Sequence, residues 1–462
     1  FLGIELDVAY FGANGIVVPI ALLWLLVGLA GGIYPAFYLS RYEPGEVLKA
    51  NKSAAEPLGT GRLRSALVVA QFAVSIGLIV CTIIIYAQTN FAQNSDLGFR
   101  REGLIQIDGA NRTQVVPARE ELMRRIAAVD GVAGVTAGNI WVASGQTLNT
   151  DVQIPGRASL PLIGFYSVDP GFFETLGVRV LAGRPLSRDF ANDNAWTPVE
   201  PEEAAEAARR EIVARGLNIV VNEHAARRMG FADTQAALGK TIRISMYGEE
   251  IGLTPATIVG VVANSRFRSL REPLEPIMFW DRGIYRRIIV RYDSAEPDRV
   301  RRQIAQIWRQ MFPDVPFEGE FADQQLAELY RSDAARGQTF AGFALLAVVI
   351  ACLGLFGLAA FTAERRTKEI GIRKVFGARS RDIVQLLAWQ FSKPVIVANL
   401  IAWPVAWWVM RDWLNSFDSR IDLGPGPFLV AGLMALVIAI GTIVGHALRV
   451  SRTNPIHALR YE

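Results

Sequence analysis

Hydrophobic positions in this chain gather into five runs, at 16–39, 65–88, 340–363, 394–410 and 428–450. Each has about the 20 residues that a helix needs to cross a hydrocarbon core of roughly 30 Å. A Lys, Arg or Asp at the middle of a span costs about 2.5–3.5 kcal/mol on insertion, and no such charge sits at the middle of any run. The pattern therefore predicts packed helices rather than an ion path. Between the second and third runs the periodicity changes. Short β-rich stretches at 104–107, 163–168, 219–221, 256–262 and 288–291 alternate with helical ones at 117–129, 204–215, 223–229 and 297–312. The expected fold class is an α-helical polytopic membrane protein with five transmembrane helices and a large α+β extracytoplasmic domain.

Charge sets the orientation. The segment 40–64 carries five Lys or Arg, 364–383 seven and 449–462 three, against none in 1–15 and two in 411–427. Basic short loops stay in the cytoplasm, so 89–337 lies outside it. Trp403, Trp407, Trp408 and Trp413 then form an aromatic belt at the outer end of the fourth span. A net charge of +4 over 462 residues is too mild to indicate nucleic acid.

The segment 364–383, ERRTKEIGIRKVFGARSRDI, directly follows the third span. Ile372, Val375 and Phe376 recur at helical spacing on an otherwise charged stretch, a stripe for the membrane surface or a partner. Gly377 is the residue type that ends a helix, Ser380 the type that caps one, and Asp382 suits a positive first turn. The reading is helix, tight turn, helix, membrane. The order E-I-G-I-R-K-x-x-G-A-R-S, Glu369 to Ser380, resembles the cytoplasmic coupling segment of the MacB/FtsX-type (type VII) ABC permeases.

Three outer stretches extend that resemblance to the MacB-like periplasmic core. They are VDPGFFETLGVRVLAGRPL (168–186), IVVNEHAARRMG (219–230) with LGKTIRI (238–244), and IVGVVANSRF (258–267). Asp96-Leu97-Gly98-Phe99 likewise looks like the start of that domain. The resemblance implies a permease whose coupling residues are Glu369, Gly371, Arg373, Lys374, Phe376, Gly377, Ala378 and Ser380, docked on a cytoplasmic ABC ATPase. It implies no catalysis and no cofactor in this chain, with ATP used by the partner. It implies a place in the bacterial inner membrane and a role in export or extrusion of an envelope substrate. The alternative is an FtsX-like signal transducer that regulates envelope enzymes or senses antimicrobial peptides. Further partners are membrane lipid and envelope proteins.

Ser40 to Lys49, S-R-Y-E-P-G-E-V-L-K, matches Ser451 to Arg460, S-R-T-N-P-I-H-A-L-R, at a constant offset of 411 residues. This predicts a duplication. Residues 1–40 would be the last span of a preceding permease unit, itself a partner within a longer chain, and 41–64 a cytoplasmic linker. A span at 65–88, the MacB-like domain at 89–337 and the FtsX-like domain at 338–462 follow.

Other chemistry is sparse. Gly239-Lys240-Thr241 invites a phosphate-loop reading, but the first glycine of that motif would fall on Thr234. His224, His446 and His457 have no metal spacing, and Cys81 and Cys352 lie in spans, so disulfides do not hold the outer domain. Gly441 and Gly445, with Ala435 and Ala439 nearly in line, offer a close-packing face. Pro394 and Pro404 would bend the fourth span. The insert at 192–215 is expected to be a solvated surface helix, and 322–337 to run into the third span as one helix.

Overall fold

The computed structural model describes residues 16–40, 60–157, 160–198, 200–248, 251–365, 369, 372–373, 376–377 and 379–451. The predicted duplication therefore falls largely outside the described residues, as does most of the linker. The chain divides into a helical unit, Phe1–Val80, Thr339–Val405 and Gly426–Glu462, and a sheet unit, Cys81–Gln338 and Ala406–Pro425.

The helices are α1 (Val17–Ser40), α2 (Thr60–Asn94), α3 (Arg119–Ala127), α4 (Phe172–Leu176), α5 (Glu202–Arg215), α6 (Glu223–Arg228), α7 (Thr234–Ala237), α8 (Pro297–Met311), α9 (Ala322–Leu329), α10 (Arg331–Arg365), α11 (Ser380–Leu414) and α12 (Gly426–Ser451). Among the described residues, four helices are long and apolar enough to cross a membrane, in α2, α10, α11 and α12. The fifth predicted span is α1, whose qualifying stretch, Val17–Leu29, is shorter.

In the helical unit, amide side chains seat against glycines of facing helices. A Cβ on Gly354 of α10 would stand 2.6 Å from Gln71 Oε1 of α2, and one on Gly432 of α12 2.3 Å from Asn399 Oδ1 of α11. Among the described residues, Gly441 and Gly445 have nothing within 4 Å. Ala435 and Ala439 of that motif are buried. Helix α11 continues through Pro394 and Pro404.

The strands are β1 (Leu104–Asp108), β2 (Val132–Gly138), β3 (Asn149–Gln153), β4 (Leu162–Ser167), β5 (Val180–Gly183), β6 (Leu217–Asn222), β7 (Thr241–Ile244), β8 (Thr254–Val262), β9 (Ile277–Trp280), β10 (Arg287–Tyr292) and β11 (Gly319–Phe321). One sheet runs β11-β1-β10-β2 and is antiparallel. Side chains alternate between the faces of a strand. Ile105 and Ile107 of β1, with Ile288 and Val290 of β10, therefore share a core with Leu122 and Ile126 of α3 and Val300, Ile304 and Trp308 of α8. Leu104 and Ile289, on the opposite face, join a second core with Phe172, Phe173 and Phe279.

The second sheet runs β5-β8-β6-β9-β4-β3-β7, and β7 also pairs with β8, so six strands close on themselves. Ile219, Val221, Ile242, Ile258, Met278 and Trp280 belong to its core. Closure removes open edges. Strand β5 crosses β8 where both are glycine. A Cβ on Gly260 would lie 2.0 Å from the Arg184 carbonyl, and one on Gly183 2.2 Å from that of Val259.

Two expectations do not hold. The third span does not extend back to 322 as one helix: α9 stops at Leu329, Tyr330 leaves helical geometry with φ −105° and ψ 8°, and α10 begins at Arg331. The insert at 192–215 is not one solvated helix either. A 3-10 turn at Ala191–Asp193 comes first, α-helix begins only at Glu202, and Ala205 and Ile212 are buried. Asp193 is 2% exposed, because it binds Arg184, Asn218 Nδ2 and the Ser187 N–H at 2.6–2.7 Å.

Candidate functional site: the coupling turn and the loop junction

The predicted coupling residues lie in the helical unit. Glu369 and Arg373 are helical and paired at 2.8 Å, four residues apart. The Phe376 N–H donates to the Ile372 carbonyl at 3.0 Å, and the chain turns at Gly377, whose φ is +92°. That left-handed conformation suits glycine, since a β-carbon is strained there. Phe376 is 86% exposed at this turn, and Ile372 is exposed beside it.

Ser380 does not sit at the cap position. It is the first residue of α11, and the Asp382 carboxylate instead accepts the Arg379 N–H at 2.9 Å. A carboxylate two residues into a helix both satisfies that donor and meets the positive end of the helix dipole. Gly371, Lys374 and Ala378 lie outside the described residues, as does Val375.

A second constellation, not foreseen from the sequence, lies in the sheet unit. The loop after β8 meets the start of α10 and the loop after α11. Arg271 donates to both Asp333 oxygens at 2.7 and 2.9 Å and to Ser416 Oγ at 2.6 Å. Its guanidinium lies 3.9 Å from the Phe417 ring centre. Tyr330 receives the Leu270 N–H on its hydroxyl at 2.8 Å, and the Leu270 carbonyl accepts from Asp418 N–H at 2.9 Å. Arg266 pairs with Asp418. Gln88, at the end of the apolar run within α2 and fully buried, donates to Ser419 O at 3.1 Å and accepts from Ile421 N–H at 2.9 Å. These partners are separated by 60 to 333 residues. The signals available in sequence were an Asp in the first turn of α10 and a Gln ending an apolar run.

The resemblance motifs acquire physical reasons. In VDPGFF, the Gly171 N–H donates to Asp169 Oδ2 at 3.2 Å, Phe172 and Phe173 enter the core, and α4 ends on left-handed Gly177. In VNEHAARRMG, Asn222 caps α6 by accepting from Ala225 N–H at 2.8 Å and also fixes β9 through Ile277 N–H at 3.0 Å.

Gly239-Lys240-Thr241 is a turn into β7. The Gly239 N–H is taken by the Ile258 carbonyl at 2.9 Å and the Lys240 N–H by Ala237 at 3.2 Å, so neither is free to cradle a phosphate. Among the described residues no group of three or more His, Cys, Asp or Glu has metal-binding geometry, and Cys81 and Cys352 are free thiols. Burial, followed by the nearby Arg228 and Arg227, pushes the His224 imidazole down. The described part of His446 is its backbone, and His457 lies outside the described residues.

A family model of the MacB-like periplasmic core domain matches residues 67–307, and one of the FtsX-like permease C-terminal region matches 341–455. The chain is 23% identical over 353 residues to the macrolide export ATP-binding/permease protein MacB of Chromobacterium violaceum, covering 72% of this chain and 50% of that protein. It is 22% identical over 393 residues to the probable export ATP-binding/permease protein Pfl01_2215 of Pseudomonas fluorescens, covering 82% and 52%. It is 23% identical over 371 residues to the uncharacterized ABC transporter permease YvrN of Bacillus subtilis, covering 75% and 80%. The chain thus spans about half the length of the first two relatives. The crystal structure of the periplasmic region of MacB from Actinobacillus actinomycetemcomitans aligns with 50% of this chain and 94% of its own, at 12% identity and a TM-score of 0.32. With a periplasmic-core match over 67–307 followed by an FtsX-like match, the chain belongs to the MacB/FtsX-type ABC transporter permeases.

Proposed function

We propose that this chain is a permease through which ATP hydrolysis by a cytoplasmic partner ATPase moves the domain outside the bilayer, in export or extrusion of an envelope substrate. The observation that carries the reading is the turn at Phe376–Gly377. An aromatic ring 86% exposed beside a charged helix is costly in water and suits a protein partner. The left-handed Gly377 fixes how that ring is presented. The names of two relatives join ATP binding to export, which supports an ATPase encoded with or beside this permease. The Arg271–Asp333 junction supplies a firm tie between the loop after β8 and the first turn of α10, the kind of element that passes movement along.

The test is ATPase co-purification and ATP turnover of the detergent-solubilised complex, after confirming that each variant inserts. Gly377→Val introduces strain of about 1–3 kcal/mol at the turn. It and the double change Arg373→Glu with Lys374→Glu are expected to lose most bound ATPase and coupled turnover, while reversal of Arg62 and Arg64 has little effect. Normal binding and turnover in both coupling variants would refute the reading and leave these residues as topology signals.

A further inference from the structure

We propose that the cleft of the sheet unit walled by residues 96–100, 177–181 and 263–266 is a binding site for a phosphate group. The cleft measures about 690 Å³ and is lined by three guanidinium groups, Arg100, Arg179 and Arg266, against two carboxylates, Asp96 and Glu223. Arg266 is committed, through its ion pair with Asp418 and a 3.0 Å bond to the Glu272 carbonyl. The carboxylates are committed too. Asp96 accepts the Gly98 N–H at 2.8 Å, and Glu223 binds Arg227 and accepts from Asn264 Nδ2 at 3.2 Å.

Arg100 and Arg179 are different: among the described residues neither side chain makes an ion pair, a hydrogen bond or a ring contact. Their backbones are fixed nonetheless. The Arg100 N–H donates to Leu176 O at 2.9 Å, and the Arg179 carbonyl accepts from Ala263 N–H at 2.8 Å. The Arg100 stem lies across Gly177, where a Cβ would come within 3.2 Å of Arg100 Cγ. Two unspent cations thus rise from rigid points on the wall of one cleft.

A guanidinium offers a planar fork of N–H donors that matches phosphate oxygens, and two forks suit a group with three or four oxygens and up to two charges. A carboxylate brings one charge and two oxygens. Beside the cleft, burial and then the nearby Arg100 push the Arg291 guanidinium down to about 10. Residues 96–100 directly follow the end of α2 at Asn94, a membrane-span helix, so both a phospholipid headgroup and a dissolved phosphate compound are within reach.

The experiment is calorimetric titration of the full chain in detergent with inorganic phosphate and, separately, with dihexanoyl phosphatidylglycerol, at constant ionic strength set by chloride. Saturable binding of at least one probe is expected. The Arg100→Gln, Arg179→Gln double variant should weaken it at least tenfold, and Asp96→Asn, which keeps the acceptor for Gly98 but removes a repelling charge, should tighten it. Binding of phosphate itself identifies a soluble source, and binding of the lipid alone identifies a headgroup. No saturable binding by the unmodified chain would overturn the proposal, as would equal binding by a folded double variant. Should the double variant not fold, unchanged affinity in Asp96→Asn would overturn it instead.

Discussion

At the scale of single residues, a buried carboxylate and a half-buried one in the sheet unit, Asp193 and Glu275, shift in opposite directions. Burial pushes the Asp193 carboxyl up, but Arg184 at 2.6 Å, Asn218 and the Ser187 N–H outweigh it, and the net pKa lies below the ordinary 3.8. Burial pushes Glu275 up as well, and the Tyr166 hydroxyl at 2.8 Å and Arg268 offset it only in part, so its pKa stays above 4.5. The linkage signs follow. Asp193 contributes stability that is present above its unfolded pKa and lost as pH falls through the lower folded value. Glu275 does the reverse: the folded state favours its protonated form, and stability is lost as pH rises from the unfolded value through the folded one. Asp193→Ala is therefore expected to cost roughly 2 kcal/mol at pH 7, less than the 3–5 kcal/mol of a fully enclosed pair because Arg184 is 31% exposed. Glu275→Gln should stabilise the chain at pH 8 and converge with the unmodified protein near pH 4. Hydrogen exchange of the β6 amides in the full chain, measured across pH, reads both, and matching pH profiles for the two variants would contradict the assignment. Asp193 was not legible in sequence. Its stretch is polar and acidic, and the partners that bury it are an arginine nine residues back and an asparagine 25 residues on.

At the scale of elements, what the sequence disclosed followed from strength of pattern. Apolar length located α2, α10, α11 and α12, and short stretches rich in β-branched and aromatic residues located β1, β4, β6, β8 and β10. The missed strands were short or masked by their composition. β11 has three residues, and β2 reads VAGVTAG, whose two glycines suggest a loop until β10 pairs with it. Packing faces of the spans were not legible either, because a G-x-x-x-G spacing does not say which glycine meets a bulky partner. The structure makes that difference measurable. Gly432→Ala would drive a Cβ to 2.3 Å from Asn399 Oδ1, whereas Gly441→Ala meets open space. Overpacking of this kind costs about 1–3 kcal/mol. Gly432→Ala should therefore lower the thermal midpoint of the chain in detergent while Gly441→Ala leaves it unchanged, and equal midpoints would show that the α11–α12 seam is not set by this contact.

At the scale of the whole molecule, the sequence carried the class: a multi-pass membrane protein with a MacB-like domain ahead of an FtsX-like region. The matches at 67–307 and 341–455 bear this out. The outer domain's ties to the loop after α11 were hidden, because Arg271, Asp333 and Ser416 are brought together only by the fold. The central claim, that the Glu369–Ser380 segment meets an ATPase in the cytoplasm, is tested most directly by photo-crosslinking in intact cells from a benzoylphenylalanine placed at Phe376. That side chain is already aromatic and exposed, so the substitution perturbs little. The account predicts a covalent adduct whose partner, identified by mass spectrometry, carries a phosphate-loop ATPase domain. An adduct only with lipid or with envelope proteins outside the cytoplasm would contradict it.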